Sequence, residues 1–172
     1  MTTQLSHSAR VARGGTADDS AAIAEIYNQG IDDRLATFET RARTVADVRE
    51  WFDGVHPVVV VEHAGKVIAF ASTSTYRPRE CYAGIAEFSV YVAREHRRSG
   101  AGRIALEALV DAAQQMGFWK LVSRVFVENT ASRRLLAALG FREVGVYQRH
   151  AQLDGEWRDV VIVERLLRRR DG

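Results

Sequence analysis

The segment that most constrains the fold is Arg97-Arg98-Ser99-Gly100-Ala101-Gly102-Arg103. It follows the run Ala86–Val92, which alternates and is rich in β-formers, and it opens a helical stretch, Ala101–Met116. A strand that turns directly into a helix leaves backbone N–H groups converging at the helix N-terminus, where the dipole favours negative charge. Glycine at 100 and 102 removes Cβ atoms that would block close approach, and Arg98 and Arg103 bring donors for phosphate oxygens. A Gly-x-Gly at a helix start is also a common structural turn, and both readings stand at this point. The six-residue G-x-G-x-x-G of a dinucleotide fingerprint is absent, and no Gly-Lys-Ser/Thr of a Walker loop follows.

Around this loop the chain reads as strand, two helices, a three-strand meander, helix, strand, helix and two strands. Arg10–Arg13 is a short first strand. Thr16 with Asp19, and Thr44 with Asp47, are capping-box patterns. The first precedes Ile23, Ile26 and Tyr27 at helical spacing; the second precedes Val48, Trp51 and Phe52. Val58–Val61 and Val67–Thr75 flank the turn His63-Ala64-Gly65-Lys66. Ala105, Ala108, Leu109, Ala112 and Met116 form one stripe of the helix that Gly117 stops. Leu121–Val127 is a strand and Asn129–Leu139 a helix closed by Gly140. Arg142–Tyr147 and Asp159–Leu167 are strands, with Asp154-Gly155 marking the turn between them. This order predicts an α/β (α+β) fold: a mixed, mostly antiparallel sheet with helices on both faces. One domain is expected over residues 9–168, with 1–8 a loose leader and 169–172 a tail.

Composition narrows the function. The net charge of the 172-residue chain is only +2, weak for a nucleic-acid binder. Basic residues gather at Arg94–Arg103 and Arg165–Arg170, which suits a small polyanion better than a duplex, although a solvated tail accounts for the second group. No apolar run approaches a membrane span. A single cysteine, Cys81, excludes an intrachain disulfide and fits a cytoplasmic location. With no Cys–His pairing evident, Cys81 reads as packing rather than nucleophile. His7, His56, His63, His96 and His150 show no metal-ligand spacing, so no metal is expected. Trp51, Trp119 and Trp157 read as core or interface residues.

Arg-x-x-Gly-x-Gly after a strand and opening a helix resembles the acetyl-CoA motif of the GNAT acetyltransferase superfamily. Asn129, Ser132, Leu135 and Leu139-Gly140-Phe141 resemble its following segment, and the likeness covers about Arg10 to Leu167. More finely, Glu87–Val92, Arg77-Pro78-Arg79 with Tyr82, and Gly155–Val160 resemble the branch that acetylates phosphinothricin, methionine sulfoximine and arsinothricin. Ile26-Tyr27-Asn28 and Thr37-Phe38-Glu39 do so as well. Two positions depart from that branch: Leu136 and Arg158 stand where histidines are often found, which leaves the exact substrate open.

The resemblance implies a splayed strand pair whose free backbone at Val90, Tyr91 and Val92 pairs with the pantetheine arm of acetyl-CoA. It implies that Arg97, Arg98, Ser99, Gly100, Ala101, Gly102 and Arg103 hold the pyrophosphate, that Asn129 hydrogen-bonds the pantetheine arm or helps orient the thioester, and that Ser132 also contacts the cofactor. Asn129 also reads as a helix N-cap. Glu87 takes the position of the general base, directly or through water, while a structural salt bridge is its plainer reading. A backbone N–H such as that of Val90 would meet the developing oxyanion. Tyr147 is a candidate proton donor to the leaving thiolate, or a packing residue. Arg77, Arg79 and Tyr82 take the substrate side, where an arginine fork suits a carboxylate or phosphinate, and Phe38 lines the same pocket. The partners implied are a small-molecule amine and a second copy in a homodimer. Two other readings stay open: acetylation of a polyamine, aminoglycoside or protein N-terminus, and a non-catalytic acetyl-CoA-binding module.

Overall fold

In the computed structural model, residues 9–167 are described. The leader 1–8 and the tail 169–172, with Arg168, lie outside them. The strands are β1 (Val11–Gly14), β2 (Val58–His63), β3 (Lys66–Thr75), β4 (Ile85–Val92), β5 (Lys120–Phe126), β6 (Arg142–Leu153) and β7 (Glu156–Leu166). The helices are α1 (Ser20–Asp32), α2 (Val45–Arg49), α3 (Ala101–Gln115) and α4 (Thr130–Ala138). One seven-stranded sheet runs in the order β1-β2-β3-β4-β5-β7-β6. Every neighbouring pair is antiparallel except β4 with β5. This is the mixed, mostly antiparallel sheet expected from the order of elements.

Side-chain alternation gives each face its helices. Phe70 of β3 joins Ile23, Ile26 and Val48 of α1 and α2 in one apolar cluster. Ala69, Ala71, Ala86 and Phe88 join Ala105, Leu106, Leu109 and Val110 of α3, and Leu136 of α4, in the other. No helix among the described residues is long and apolar enough to cross a membrane.

The helix ends follow from local chemistry. Both boxes form. Asp19 Oδ2 accepts from Thr16 N at 2.8 Å, and Asp47 N donates to Thr44 Oγ1 at 3.1 Å. The first opens a 3-10 turn at Ala17–Asp19 that leads into α1. α3 and α4 close alike, with Gly117 (φ +90°) and Gly140 (φ +80°) in the left-handed region. Phe118 N donates to Ala113 O at 3.1 Å and Phe141 N to Leu136 O at 3.0 Å, the 6→1 bond of a Schellman motif. The reversal buries Phe118 and Phe141 and turns Met116 outward, to 52% exposure. Met116 therefore leaves the stripe that helical spacing predicts, because Phe118 takes its place in the core.

The last two strands are longer than their apolar patterns suggest. β6 and β7 run up to the Asp154-Gly155 turn, both at positive φ (50° and 82°), which is the backbone of a tight hairpin. The polar stretch from Gln148 to Gln152 has no apolar alternation to announce a strand. At the other end of the sheet core, Trp119 N donates to Gly84 O at 2.8 Å. A Cβ at Gly84 would lie 2.0 Å from the Trp119 ring, so only glycine lets that ring lie against the backbone.

Candidate active site

β4 and β5 pair only over Ile85–Glu87 and Lys120–Val122. Beyond that β4 stays with β3 as far as Val92, and β5 stays with β7 as far as Phe126, so the two strands part and leave a cleft. Ser123 Oγ donates to Phe88 O at 2.9 Å where they separate. The Phe88 carbonyl thus faces β5, and alternation turns the backbone of Val90 and Val92 to the same side. The cleft is bounded by Val90 on one wall, by Ser123 and Val125 on the other, and by Asn129, Ser132 and Leu136 at the end. Tyr91 also lines the cleft, but its ring points elsewhere. Its ring packs among Tyr27 and Phe70 on the α1 face, at centroid distances of 4.9 and 5.5 Å. Burial first, then the neighbouring Tyr27, pushes its phenol well above the ordinary tyrosine range.

At the mouth of the cleft the chain turns through Arg98 (φ +59°) and Gly100 (φ +85°) into α3. No neighbour lies near a Cβ built on Gly100, so it is the backbone angle that calls for glycine. At Gly102 a Cβ would sit 3.2 Å from Val92 Cγ2, so glycine there brings α3 down on the strand end. Arg97 and Arg94 both bind Asp33, at 2.6 and 2.7 Å, and tie the loop to the end of α1. Burial alone would push the Asp33 carboxyl up, but hydrogen bonds from Arg94 and Arg97 hold it below the usual range. Arg103 pairs with Glu107 at 2.9 Å, whereas Arg98 has no ion pair among the described residues. Ser99 Oγ is buried without a partner there. Asn129 caps α4 by accepting from Ser132 N at 3.2 Å and donates to Leu35 O at 3.3 Å. Orphaned Ser99 Oγ, exposed Arg98, the unpaired N–H groups opening α3 and the bare edge at Val90 all suit a pyrophosphate with an extended amide arm. The residues present fit acetyl-CoA.

On the opposite face from α3, beside Glu87, lies a pocket of about 390 Å³. Arg77, Glu87, Arg124, Tyr147 and His150 line it. Glu87 makes the salt bridge of its plainer reading: Arg124 Nη2 donates to its Oε1 at 2.5 Å. Arg77 lies over the Tyr76 ring, 5.3 Å from its centroid, and Tyr82 meets Tyr76 edge-on. Tyr82 and Arg79 stand outside the pocket lining, Arg79 at the start of the 3-10 turn Glu80–Tyr82. Phe38 meets Phe126 edge-on at 4.9 Å and His150 at 6.5 Å, so its loop roofs the neighbouring strand ends.

Tyr147 and His150 reach the pocket because the β6–β7 register breaks between Tyr147↔Val160 and Ala151↔Arg158. Gln148, Arg149 and His150 oppose Asp159 alone, whose Oδ1 accepts from Arg149 N at 2.7 Å, with Arg149 at φ +46°. A bulge of this kind re-aims side chains. Sequence reasoning passed over Arg124 and His150. The only signal for Arg124 was one charge within the apolar strand Leu121–Val127; a bulge in a polar stretch leaves none for His150. Of the two departures, Leu136 is buried in the core, while Arg158 lies over Phe126 and pairs with Glu128 at 3.2 Å.

A parallel strand pair that splays beside a glycine-rich helix start, with an acid at the fork, defines an acetyl-CoA-dependent N-acetyltransferase. The chain belongs to the acetyltransferase (GNAT) family, whose sequence model matches residues 23–141. An L-methionine sulfoximine/L-methionine sulfone acetyltransferase of Pseudomonas aeruginosa is 32% identical over 162 residues, spanning 91% of this chain and 94% of that protein. A phosphinothricin N-acetyltransferase of Streptomyces coelicolor is 30% identical, spanning 90% of this chain and 95% of its own length. The crystal structure of a GNAT superfamily phosphinothricin acetyltransferase from Sinorhizobium meliloti in complex with AcCoA matches with a TM-score of 0.85. It is 29% identical in sequence, and the match covers 92% of this chain and 88% of that one.

Proposed function

We propose that this N-acetyltransferase acts directly on the amino group of a small amino acid or toxic glutamate analogue of the phosphinothricin, methionine sulfoximine or arsinothricin type. The observation that carries this reading is the pocket at Glu87, where two guanidiniums, Arg77 and Arg124, face one carboxylate. Such a pocket favours an acceptor that carries a carboxylate beside its ammonium. The names of the relatives from Pseudomonas and Streptomyces support the same class.

Acetyl-CoA, as co-substrate, supplies an activated acetyl thioester. The loop 97–103 and the Val90 edge hold it in the cleft, with Asn129 and Ser132 at its end. Glu87 takes a proton from the incoming ammonium, directly or through water, since only the neutral amine is nucleophilic. One carboxylate oxygen accepts from Arg124, and the other is left for the amine. The Val90 N–H, on the edge of β4 left unpaired by β5, is the donor for negative charge developing on the acyl oxygen. Tyr147, in the same pocket, offers a phenol to the leaving thiolate. The reading includes a homodimer, for which Val144, Val146 and Trp157, all about half exposed on β6 and β7, offer an apolar face.

A second reading has one observation behind it. A hollow of about 310 Å³ between α2 and β3–β4 carries Glu50 and Asp53 and reaches Ser89, a setting for a cationic acceptor. Thiol release with phosphinothricin, methionine sulfoximine, spermidine, an aminoglycoside and an N-terminal peptide separates the two. Activity confined to the amino acids bears out the proposal, and activity on the cations or peptide alone overturns it. Glu87→Gln is expected to lower kcat at least ~100-fold with acetyl-CoA binding retained. Unchanged turnover removes Glu87 from the mechanism.

A further inference from the structure

Arg124 is the charged residue of β5 that lines the pocket, and its placement is specific. It follows Ser123, the residue at the fork of the two strands, and lies opposite Ile162 of β7 on the pocket face. Among the described residues only its Nη2 is engaged, on Glu87 Oε1 at 2.5 Å. The side chain is 47% exposed, so the rest of its five-donor fork faces the pocket. Glu87 and Arg124 thus form a contact pair of opposite charges at the point where the acceptor amine must arrive.

An α-amino acid is the mirror of that pair. Its ammonium nitrogen and nearer carboxylate oxygen are about 3 Å apart, a hydrogen-bond length. Laid against the site, the ammonium meets Glu87 and the carboxylate meets Arg124, each making a charge-assisted hydrogen bond. Both groups of the zwitterion are matched at once only when the carboxylate is on the carbon that bears the amine. Arg77, on the other side of the pocket and free of ion pairs among the described residues, is left for an anionic group at the far end of the substrate side chain.

We propose that Arg124 is the anchor for the substrate's α-carboxylate, so that the enzyme selects amines carrying a free carboxylate on the adjacent carbon. The proposal rests on the amino-acid reading given above and deepens it, dividing the work of the two arginines: Arg124 for the backbone carboxylate, Arg77 for the side chain. Selectivity of this kind is strong because an analogue lacking the group leaves a desolvated guanidinium without its partner.

The test compares methionine sulfoximine with its carboxamide, in which the α-carboxylate is neutral, in wild type, Arg124→Leu and Arg124→Lys. Thiol release gives kcat/KM for each acceptor at saturating acetyl-CoA. Wild type is expected to prefer the acid at least ~100-fold. Arg124→Leu is expected to lose most of that preference, through a drop of about 100-fold on the acid and a far smaller one on the carboxamide. Arg124→Lys, which keeps the charge without the fork, is expected to restore part of the ratio. An equal loss on acid and amide in Arg124→Leu would mean that Arg124 serves only to hold Glu87, and would overturn the proposal. Wild type that takes acid and amide alike overturns it too, while leaving the amino-acid reading intact. Wild type that acetylates no amino acid at all removes both. If Arg124→Leu does not fold, the wild-type ratio and the Arg124→Lys ratio still decide, since a ratio near one in the first or unchanged in the second refutes the anchor.

Discussion

Gly30 is buried in the last turns of α1, directly beneath Tyr91. A Cβ added there would lie 2.7 Å from two carbons of the Tyr91 ring. Carbon atoms rest at about 3.5–4.0 Å, so the ring must move by about 1 Å. It has little room, since Tyr27 meets it edge-on at 4.9 Å and Phe70 stacks on it at 5.5 Å. Overpacking of this kind costs about 1–3 kcal/mol. Against it stands the helix preference of alanine over glycine, about 1 kcal/mol. Gly30→Ala should therefore destabilise by about 1 kcal/mol, a fall in Tm of about 2–4 °C for a chain of this size. The shift passes along β4 to Val90 and Val92, so the KM for acetyl-CoA should rise several-fold. Thermal unfolding by circular dichroism and saturation kinetics read the two effects. Gly14→Ala, whose Cβ would meet nothing within 4 Å, is the control. A Tm that rises by a few degrees with KM unchanged would refute the reasoning, because the ring would then slide aside freely.

Asp53 gives a pH test. Burial pushes its carboxyl up, but hydrogen bonds from the His56 backbone and ring and from Val55 N outweigh it and bring it down to about 2 from 3.8. The folded pKa is the lower one, so the stabilisation is complete above about pH 4 and fades as pH falls toward 2. With the side chain 41% exposed, solvent screening limits it to about 1 kcal/mol. Asp53→Asn should thus be less stable than wild type at pH 6–7, with the gap shrinking below about pH 4 and nearly closed only at about pH 2; a gap that stays constant with pH would refute the assignment. Asp19 accepts a fork from Arg13, with both bonds at 2.8 Å, and closes the Thr16 box. Asp19→Ala should cost about 2–3 kcal/mol in urea unfolding, and a loss under about 0.5 kcal/mol would contradict that role.

Much of the architecture was legible because it is written in short-range chemistry. Thr16 with Asp19, Thr44 with Asp47, and the glycines at 117 and 140 mark helix ends through bonds spanning three to five residues. The splay of β4 from β5 came from the family resemblance, and the three-residue pairing of the two strands agrees with it. What was not legible depends on partners distant in sequence. Glu87 and Arg124 meet across 37 positions, with α3 between them. Tyr147 and His150 owe their direction to a register break that a polar stretch does not announce. The Tyr91 ring lies on the α1 face because Gly30 leaves room for it there, a fit that no local pattern announces. Arg79 and Tyr82 adjoin Arg77 in sequence, yet the 3-10 turn carries them past the pocket lining.

The sheet can also be seen as an opened book. One leaf is β1 to β4, the other is β5 with β7 and β6, and the spine is the three-residue pairing at Ile85–Glu87. A single ring, Trp119 lying on bare Gly84, sits at the foot of that spine. Val90 belongs to one leaf and Arg124 to the other, so the angle between the leaves sets how far apart they stand. The reach between the cleft edge and the acceptor pocket is governed from the foot of the spine, by Gly84 and Trp119, which line neither.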